Sequence, residues 1–172
     1  MNNRKIVIPL VLILALGAAS TASAGGSIFA GANFPTGGFS DGAKTGWNLG
    51  GYYTFDLMPI VDIGGLLAYS DFSTDLGDFP ELDEALDGSI NVWELHALGQ
   101  LNFLMLKGFL GLGIGSYKDV NDLFETERKT DFSWQIGLSM NIAVLEARLG
   151  YHQIPVEESS INWMSLTVGL TF

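Results

Sequence analysis

The residues that could transfer protons, bind metals or conduct ions are few, and they recur at alternate positions of apolar segments. Carboxylates stand beside histidines in this set, with one arginine near the C-terminal end. Such groups can move protons or line a narrow ion path. They can also form a polar core in which the side chains satisfy one another. The candidates are Asp62, Glu94, His96, Gln100, Glu146, Arg148 and His152.

Other catalytic and metal-binding patterns are weak. The chain has no cysteine, which excludes disulfides, thiolate metal sites and a lipid-anchored N-terminus. Its two histidines, His96 and His152, are too few for a convincing metal site without a third ligand. No Ser-His-Asp spacing stands out. We therefore expect no catalytic residue, no metal and no cofactor. A lipid hydrolase or acyltransferase with its nucleophile at a lipid-facing rim is the enzymatic alternative.

The N-terminal segment has the features of an export signal. Arg4 and Lys5 precede an apolar run over residues 6–16, and small residues ending in Ala22-Ser23-Ala24 follow. This A-x-A ending is accepted by signal peptidases, and the run is too short to span a bilayer as a helix. We predict a cleaved signal peptide over residues 1–24 and one mature domain over residues 25–172.

The predicted mature domain is strongly acidic and rich in glycine. Without Arg4 and Lys5 it has six basic and 19 acidic residues, a net charge of −13, and the chain contains 22 glycines. This charge argues against binding to nucleic acid. Almost half of the chain is apolar, yet no later stretch is long enough for a membrane helix.

The mature domain instead resolves into eight segments in which apolar residues alternate with small or polar ones. In the last segment Met164, Leu166 and Val168 share one face, while Ser165 and Thr167 share the other. Such alternation indicates β-strands with two different faces. The eight predicted strands are residues 26–34, 45–56, 60–71, 89–103, 108–117, 130–141, 144–153 and 161–172.

The connections between these strands alternate between long and short, which is typical of an up-and-down barrel with both termini at the short-turn end. The short connections are unusually apolar, as in Leu57-Met58 and Leu104-Met105-Leu106. We predict an all-β fold, an eight-stranded antiparallel up-and-down transmembrane β-barrel.

The composition of the two faces favours a membrane barrel over a soluble one. The polar face consists mainly of Gly, Ser, Thr, Asn and Gln, and most charges fall in the loops. Aromatic residues on the apolar face cluster near both strand ends, as expected for the two interfaces of a bilayer. Those near the long loops are Trp47, Tyr69, Trp93, Phe132, Trp134 and Tyr151; those near the short turns are Tyr53, Phe55, Phe103 and Phe172.

Two segments carry a resemblance to a known family. Residues 31–41, continuing into residues 44–55, resemble the first hairpin of the outer-membrane protein beta-barrel domain family, which includes OmpX-type barrels and the barrel half of OmpA-type proteins. The alternating C-terminus is similar to the signal read by the outer-membrane assembly machinery. This resemblance implies an outer-membrane location, lipid and lipopolysaccharide as surroundings, and an assembly signal formed by Leu166, Val168, Leu170 and Phe172.

One predicted external loop holds seven acids and no base. The spacing of these acids does not match an EF-hand. A solvated loop is the simplest interpretation, and binding of a divalent cation or an external ligand is the functional alternative. The acids are Asp71, Asp75, Asp78, Glu81, Asp83, Glu84 and Asp87.

A structural or surface-interaction role follows most directly from this pattern, because eight-stranded barrels fill their lumen with side chains. The polar candidates would then form a lumen network, in which we expect Arg148 to bridge at least two carboxylates. A narrow pore is the first alternative function, and lipid modification is the second.

Overall fold

The computed structural model describes residues 24–74, 89–118, 128–156 and 159–172, so the predicted signal peptide before Ala24 and most of the acidic loop lie outside the described residues. A 3-10 helix, Gly37–Asp41, follows the first strand, and no helix in these ranges is long and apolar enough to cross a membrane. The strands are β1 (Ala24–Thr36), β2 (Ala43–Met58), β3 (Val61–Thr74), β4 (Ser89–Phe103), β5 (Leu106–Lys118), β6 (Arg128–Ile142), β7 (Leu145–Val156) and β8 (Ser159–Thr171).

The eight strands form one closed barrel in which each strand pairs antiparallel with its neighbours in the sequence. β1 pairs with β8 and closes the wall. At the end of this seam, Gly26 and Phe172 exchange two backbone hydrogen bonds of 3.0 Å. The predicted fold class is therefore confirmed. The observed strands extend beyond most of the predicted bounds, because pairing continues into residues that do not alternate in character.

The side chains alternate between the outer surface and the lumen, as the period-two pattern predicts. On β8, Leu166 is 54% exposed on the outside, whereas Thr167 is 3% exposed and points inward. Aromatic residues near the long-loop ends contact one another around the outer surface: Trp47 lies 5.4 Å from Tyr69, and Tyr69 lies 4.9 Å from Trp93. The outer surface is thus apolar with an aromatic girdle.

The lumen is less uniformly polar than the sequence pattern suggests. Two apolar clusters occupy it, one on each side of a polar layer. The cluster nearer the long loops contains Phe72 and Trp163, whose rings meet edge to face at 5.6 Å. Phe39 of the 3-10 helix packs against Phe72 at 5.1 Å and covers this cluster from above. The cluster nearer the short turns contains Phe29, Tyr52, Leu66, Ala68, Leu98 and Phe109.

The glycines of β5 give the lumen room for large side chains. A Cβ atom at Gly111 would lie 2.8 Å from the Gln135 side chain, and one at Gly115 would lie 2.5 Å from Ile154. A Cβ at Gly113 would lie 1.9 Å from the carbonyl oxygen of Leu95. Inward-facing glycines therefore permit close packing across the narrow barrel.

Substitution by alanine should destabilise the barrel at one glycine of β5, Gly113, and have little effect at another, Gly108. Gly113→Ala forces the Leu95 carbonyl to move, and we expect a loss of about 1–3 kcal/mol in the free energy of unfolding, as is typical of overpacking. Gly108→Ala is the matched control, because no atom lies within 4 Å of a Cβ there. Urea titration of the refolded barrels measures both values. Equal stabilities for the two variants would contradict the close approach at Gly113.

Candidate functional site

The seven candidate residues all face the lumen and are nearly inaccessible to solvent. The structure brings Glu94, His96 and His152 together in one cluster, and it brings Arg148 next to Glu146 in another. Asp62 lies apart, near the short turns, where Asn102 Nδ2 donates a hydrogen bond of 2.9 Å to its Oδ1 atom. Gln100 is also buried. The candidates therefore divide into separate layers along the barrel axis.

Glu94 is the centre of the first cluster and accepts hydrogen bonds from two directions. Its Oε1 atom accepts a bond of 2.9 Å from Ser133 Oγ, and its Oε2 atom lies 3.0 Å from His152 Nδ1. Glu94 is 1% exposed. A carboxylate so deeply buried needs several donors to replace the water that it loses. This cluster supplies them from β6 and β7.

The bond pattern assigns a consistent direction to the whole network. Gln135 Nε2 donates to His96 Nδ1 at 2.8 Å, so His96 Nε2 carries the hydrogen that points at Ser133 Oγ, 3.0 Å away. On the other side, His152 Nε2 lies 2.9 Å from Ser165 Oγ and can accept its proton. Both branches donate toward Glu94, and both imidazoles are satisfied in their neutral forms.

Ser165, His152 and Glu94 have the atom order of a serine-hydrolase triad, which the sequence spacing does not reveal. Nucleophilic catalysis also needs space for a substrate beside the serine. The cavity next to this group measures about 10 Å³, enough for at most one water molecule. His152 is further covered by the Trp163 ring, stacked at 4.8 Å. The arrangement can hold a carboxylate inside the barrel but has no room for an ester.

From the sequence we expected Arg148 to bridge at least two carboxylates, and this prediction is wrong. Within the described residues its ion pair is with Glu146 alone, at 3.8 Å, which is longer than a hydrogen bond. Three aromatic rings surround the guanidinium instead. Its Cζ atom lies 4.1 Å from the Phe109 ring centre, 4.6 Å from Tyr52 and 5.2 Å from Phe29. The rings replace the missing carboxylates through cation–π contacts, which planar arginine makes well.

Glu146 completes this second cluster through Tyr52. The Tyr52 hydroxyl lies 2.9 Å and 3.0 Å from the two carboxylate oxygens of Glu146 and donates to them. Tyr52 thus binds the anion with its hydroxyl and contacts the cation with its ring. The aromatic residue was not among the candidates, because its position in β2 does not reveal that it reaches β7 across the lumen.

A wider space opens below these clusters, at the short-turn end. This cavity of about 320 Å³, the vestibule, is lined by charged and polar groups. Asp56 and Asp62 face Lys107 and Asn141 around it. The described residues therefore form an open polar mouth at the short-turn end and a filled lumen above it.

The remaining predicted sites are placed only in part. Asp71 lies at the loop end of β3, where it accepts a 3.0 Å hydrogen bond from the Tyr69 hydroxyl. The other six acids of the loop lie outside the described residues. The four residues of the predicted assembly signal all face outward on or directly after β8. Within the four described ranges, no group of three or more His, Cys, Asp or Glu side chains is arranged so that it could hold a metal ion.

Ser133 and Ser165 are, with Gln135, the residues of the Glu94 network that sequence reasoning missed. Both serines fall on the inward face of their strands, which the alternation does reveal. The partners of Ser133 lie on β4, which does not pair with β6. The partner of Ser165 lies on the neighbouring strand β7 but is offset along it, so its approach depends on the register. The available signal was their parity, that is, their place in the alternation of inward and outward side chains along the strand. Their position near the middle of the wall, where buried carboxylates need donors, was a second signal.

The Arg148–Glu146 pair leads to a stability prediction. Arg148→Met keeps a long apolar stem among the three rings but leaves the fully buried Glu146 without its cation. We expect a loss of about 3–5 kcal/mol in the free energy of unfolding, as for other buried pairs broken on one side. The measurement is urea titration of the refolded barrel.

A second variant separates charge from packing. Glu146→Gln combined with Arg148→Met removes both charges, so the double variant should be more stable than Arg148→Met alone. The outcome to compare is the sum of the losses in free energy of unfolding of Glu146→Gln and Arg148→Met, each measured alone. If the double variant loses that sum, Arg148 acts through packing only.

Sequence comparisons find no close relative of the chain: no family model matches it, and no curated protein is detectably similar in sequence. Solved structures do match over nearly the whole barrel. Ail of Yersinia pestis, in complex with the heparin analogue sucrose octasulfate, aligns with a TM-score of 0.55 and 18% identity, covering 87% of this chain and 99% of Ail. Ail has also been solved in a phospholipid bilayer nanodisc.

Two further barrels align to a similar extent. The N-terminal barrel of Pseudomonas aeruginosa OprF gives a TM-score of 0.50 and 18% identity, over 86% of this chain and 97% of that barrel. Neisserial surface protein A gives 0.50 and 14%, over 88% and 98%. At these identities the likeness concerns the fold. The chain has the fold of the small eight-stranded outer-membrane barrels of the OmpA and OmpX type.

Proposed function

We propose that this protein is an outer-membrane barrel without enzymatic activity, which has a structural or surface-interaction role and a closed lumen. The observation that carries this proposal is the distribution of polarity across the wall. Large apolar side chains cover the outside, with Leu49, Leu67, Leu95 and Leu138 each about half exposed or more. A soluble protein rarely exposes so large a continuous apolar surface. Lipid is the solvent that suits it.

The packing of the lumen supports a closed barrel rather than a pore. The vestibule ends at the layer of Arg148 and its three rings, and the cavity above this layer holds about 10 Å³. Phe72 and Trp163 fill the lumen above the Glu94 cluster, and both are 0% exposed. An ion path would have to pass three consecutive packed layers. The pore alternative therefore has little support.

The lipid-modifying alternative is also weakly supported. An enzyme of this kind needs its nucleophile beside the acyl chains of the membrane. Ser165 and His152 face the lumen, and Trp163 covers them from the loop side. No acyl chain can reach Ser165 from the outer surface without crossing the wall.

The external partner that we propose is cationic. Ail binds a highly sulfated ligand, but the present chain has a net charge of −13 after the predicted signal peptide and a loop with seven acids. Such a surface repels sulfated polyanions. Divalent cations that bridge the loop to lipopolysaccharide, or a basic protein ligand, fit this charge. Assembly would involve the outer-membrane assembly machinery, which reads the outward-facing C-terminal residues of β8.

The closed lumen predicts an absence of conductance. The purified mature barrel, reconstituted in a planar bilayer, should give no steps above the baseline, whereas a porin reconstituted in parallel gives open channels. The bilayer trace at constant voltage is the measurement. Reproducible steps from the purified protein would support the pore alternative and contradict the packed lumen.

The lipid-facing wall predicts a depth-dependent response to arginine. Leu166→Arg places a cation near the middle of the hydrocarbon and should cost about 2–4 kcal/mol in the free energy of unfolding from vesicles. Ser160→Arg is the matched control, because it lies on the same face of β8 near the long-loop end, where the cost should be close to zero. Equal effects of both substitutions would contradict a membrane-spanning wall.

A further inference from the structure

The three short turns of the barrel form an apolar ring that the closed lumen and the membrane wall do not explain. Each turn has two residues between its strands: Pro59-Ile60, Leu104-Met105 and Ala143-Val144. All six are apolar and exposed, and Leu104 is fully exposed. Turn tips that project into water are normally built from Gly, Pro, Asn, Asp and Ser. Apart from Pro59, the tips contain none of these residue types.

Backbone geometry makes this choice of residues more unusual. Leu104 has φ +57° and Ala143 has φ +55°, which is the left-handed region that favours glycine and asparagine. A leucine in this conformation is strained, and in water its exposed side chain would add nothing to offset the strain. In an apolar solvent leucine is favoured over asparagine at this position, because an asparagine side chain would lack hydrogen-bond partners there.

The ring is continuous with the apolar outer surface. Phe103, Ile142 and Leu145 extend the outward rows of β4, β6 and β7 down to the turns, and each is at least half exposed. Charged residues at this end point elsewhere: Asp56, Asp62 and Lys107 line the vestibule inside. In the described part of the barrel, no charged side chain interrupts the outer surface between the wall and the turns.

The height of the wall places the turns within the lipid layer. Leu104 lies eleven residues after Trp93, which belongs to the aromatic girdle near the long loops. At the usual rise per residue and a strand tilt near 40°, this separation corresponds to about 28 Å along the barrel axis. The apolar band of outer-membrane barrels is about 25 Å tall, and the interfacial layer adds several ångströms beyond it. Leu104 therefore reaches the interfacial layer of the leaflet at the short-turn end, and does not extend past it.

We propose that the short-turn end of this barrel is seated in the lipid interface, with the three turns as an apolar ring in contact with phospholipid and the vestibule as an aqueous opening inside that ring. This proposal rests on the proposed membrane location. It adds a second lipid contact surface, perpendicular to the wall. The barrel then projects from the membrane only on its long-loop side.

The test uses the absence of cysteine in the chain, which allows single labels without background. Cysteine is introduced at Leu104 or Val144 in the ring, labelled with the fluorophore NBD, and the barrel is refolded into phosphatidylcholine vesicles. We expect blue-shifted emission, at least twofold stronger quenching by doxyl-labelled lipid than by iodide present on both sides, and the same result at both ring positions.

Three control positions make the outcome interpretable. Asn141→Cys faces the vestibule one residue before Ile142, and Ser40→Cys lies in the exposed 3-10 helix; both labels should be quenched by iodide. Leu166→Cys in the middle of the wall should be quenched by lipid. Iodide quenching at the ring, with lipid quenching at Leu166, would overturn the proposal alone. Iodide quenching at Leu166 as well would instead overturn the membrane location.

A variant without any label tests the same idea through stability. Leu104→Asn relieves the backbone strain, so it should raise the urea midpoint if the turn faces water. In the lipid interface the lost apolar contact outweighs this relief, and we expect a lower midpoint in vesicles. A higher midpoint would overturn the proposal.

Discussion

Pairing of the backbone within the wall is the constraint from which the other features of this protein follow. A strand in hydrocarbon has no water for its N–H and C=O groups, so an open sheet edge is excluded. Closure of β1 on β8 removes both edges, with Gly26 and Phe172 completing the ladder at the end of the seam. Closure with only eight strands makes the lumen too narrow for bulk water, and the inward side chains must therefore pack against one another.

That narrow lumen explains why its polar groups are organised as they are. Glu94 and Glu146 are both buried, and each obtains a donor from a strand with which its own strand does not pair. Glu94 is satisfied by serine and histidine, and Glu146 by Tyr52 and Arg148. Apolar clusters separate these layers from the long-loop side and fill the lumen around Arg148. The result is a set of internal cross-links that tie β2, β4, β6 and β7 together independently of the ladder.

Period-two alternation could identify the strands, their faces and the closed topology, because each of these depends on local pattern and connection length. The lumen contacts depend on the register around the whole barrel, which alternation does not define. Parity placed Ser165 and His152 inside, yet their approach to 2.9 Å follows from the stagger of β7 against β8. Parity also placed Arg148 inside, but the three rings around it come from β1, β2 and β5. Neighbours across the lumen were the part that local sequence could not predict.

The two ends of the barrel differ in a way that bears on how it enters a membrane. Six of the acids in the β3–β4 loop follow one another within residues 75–87, and their charges cannot cross hydrocarbon at low cost. The short turns carry no charge and would meet no such barrier. The barrier to crossing hydrocarbon therefore lies mainly in the loops, and the end of the barrel that carries the short turns meets the smaller one.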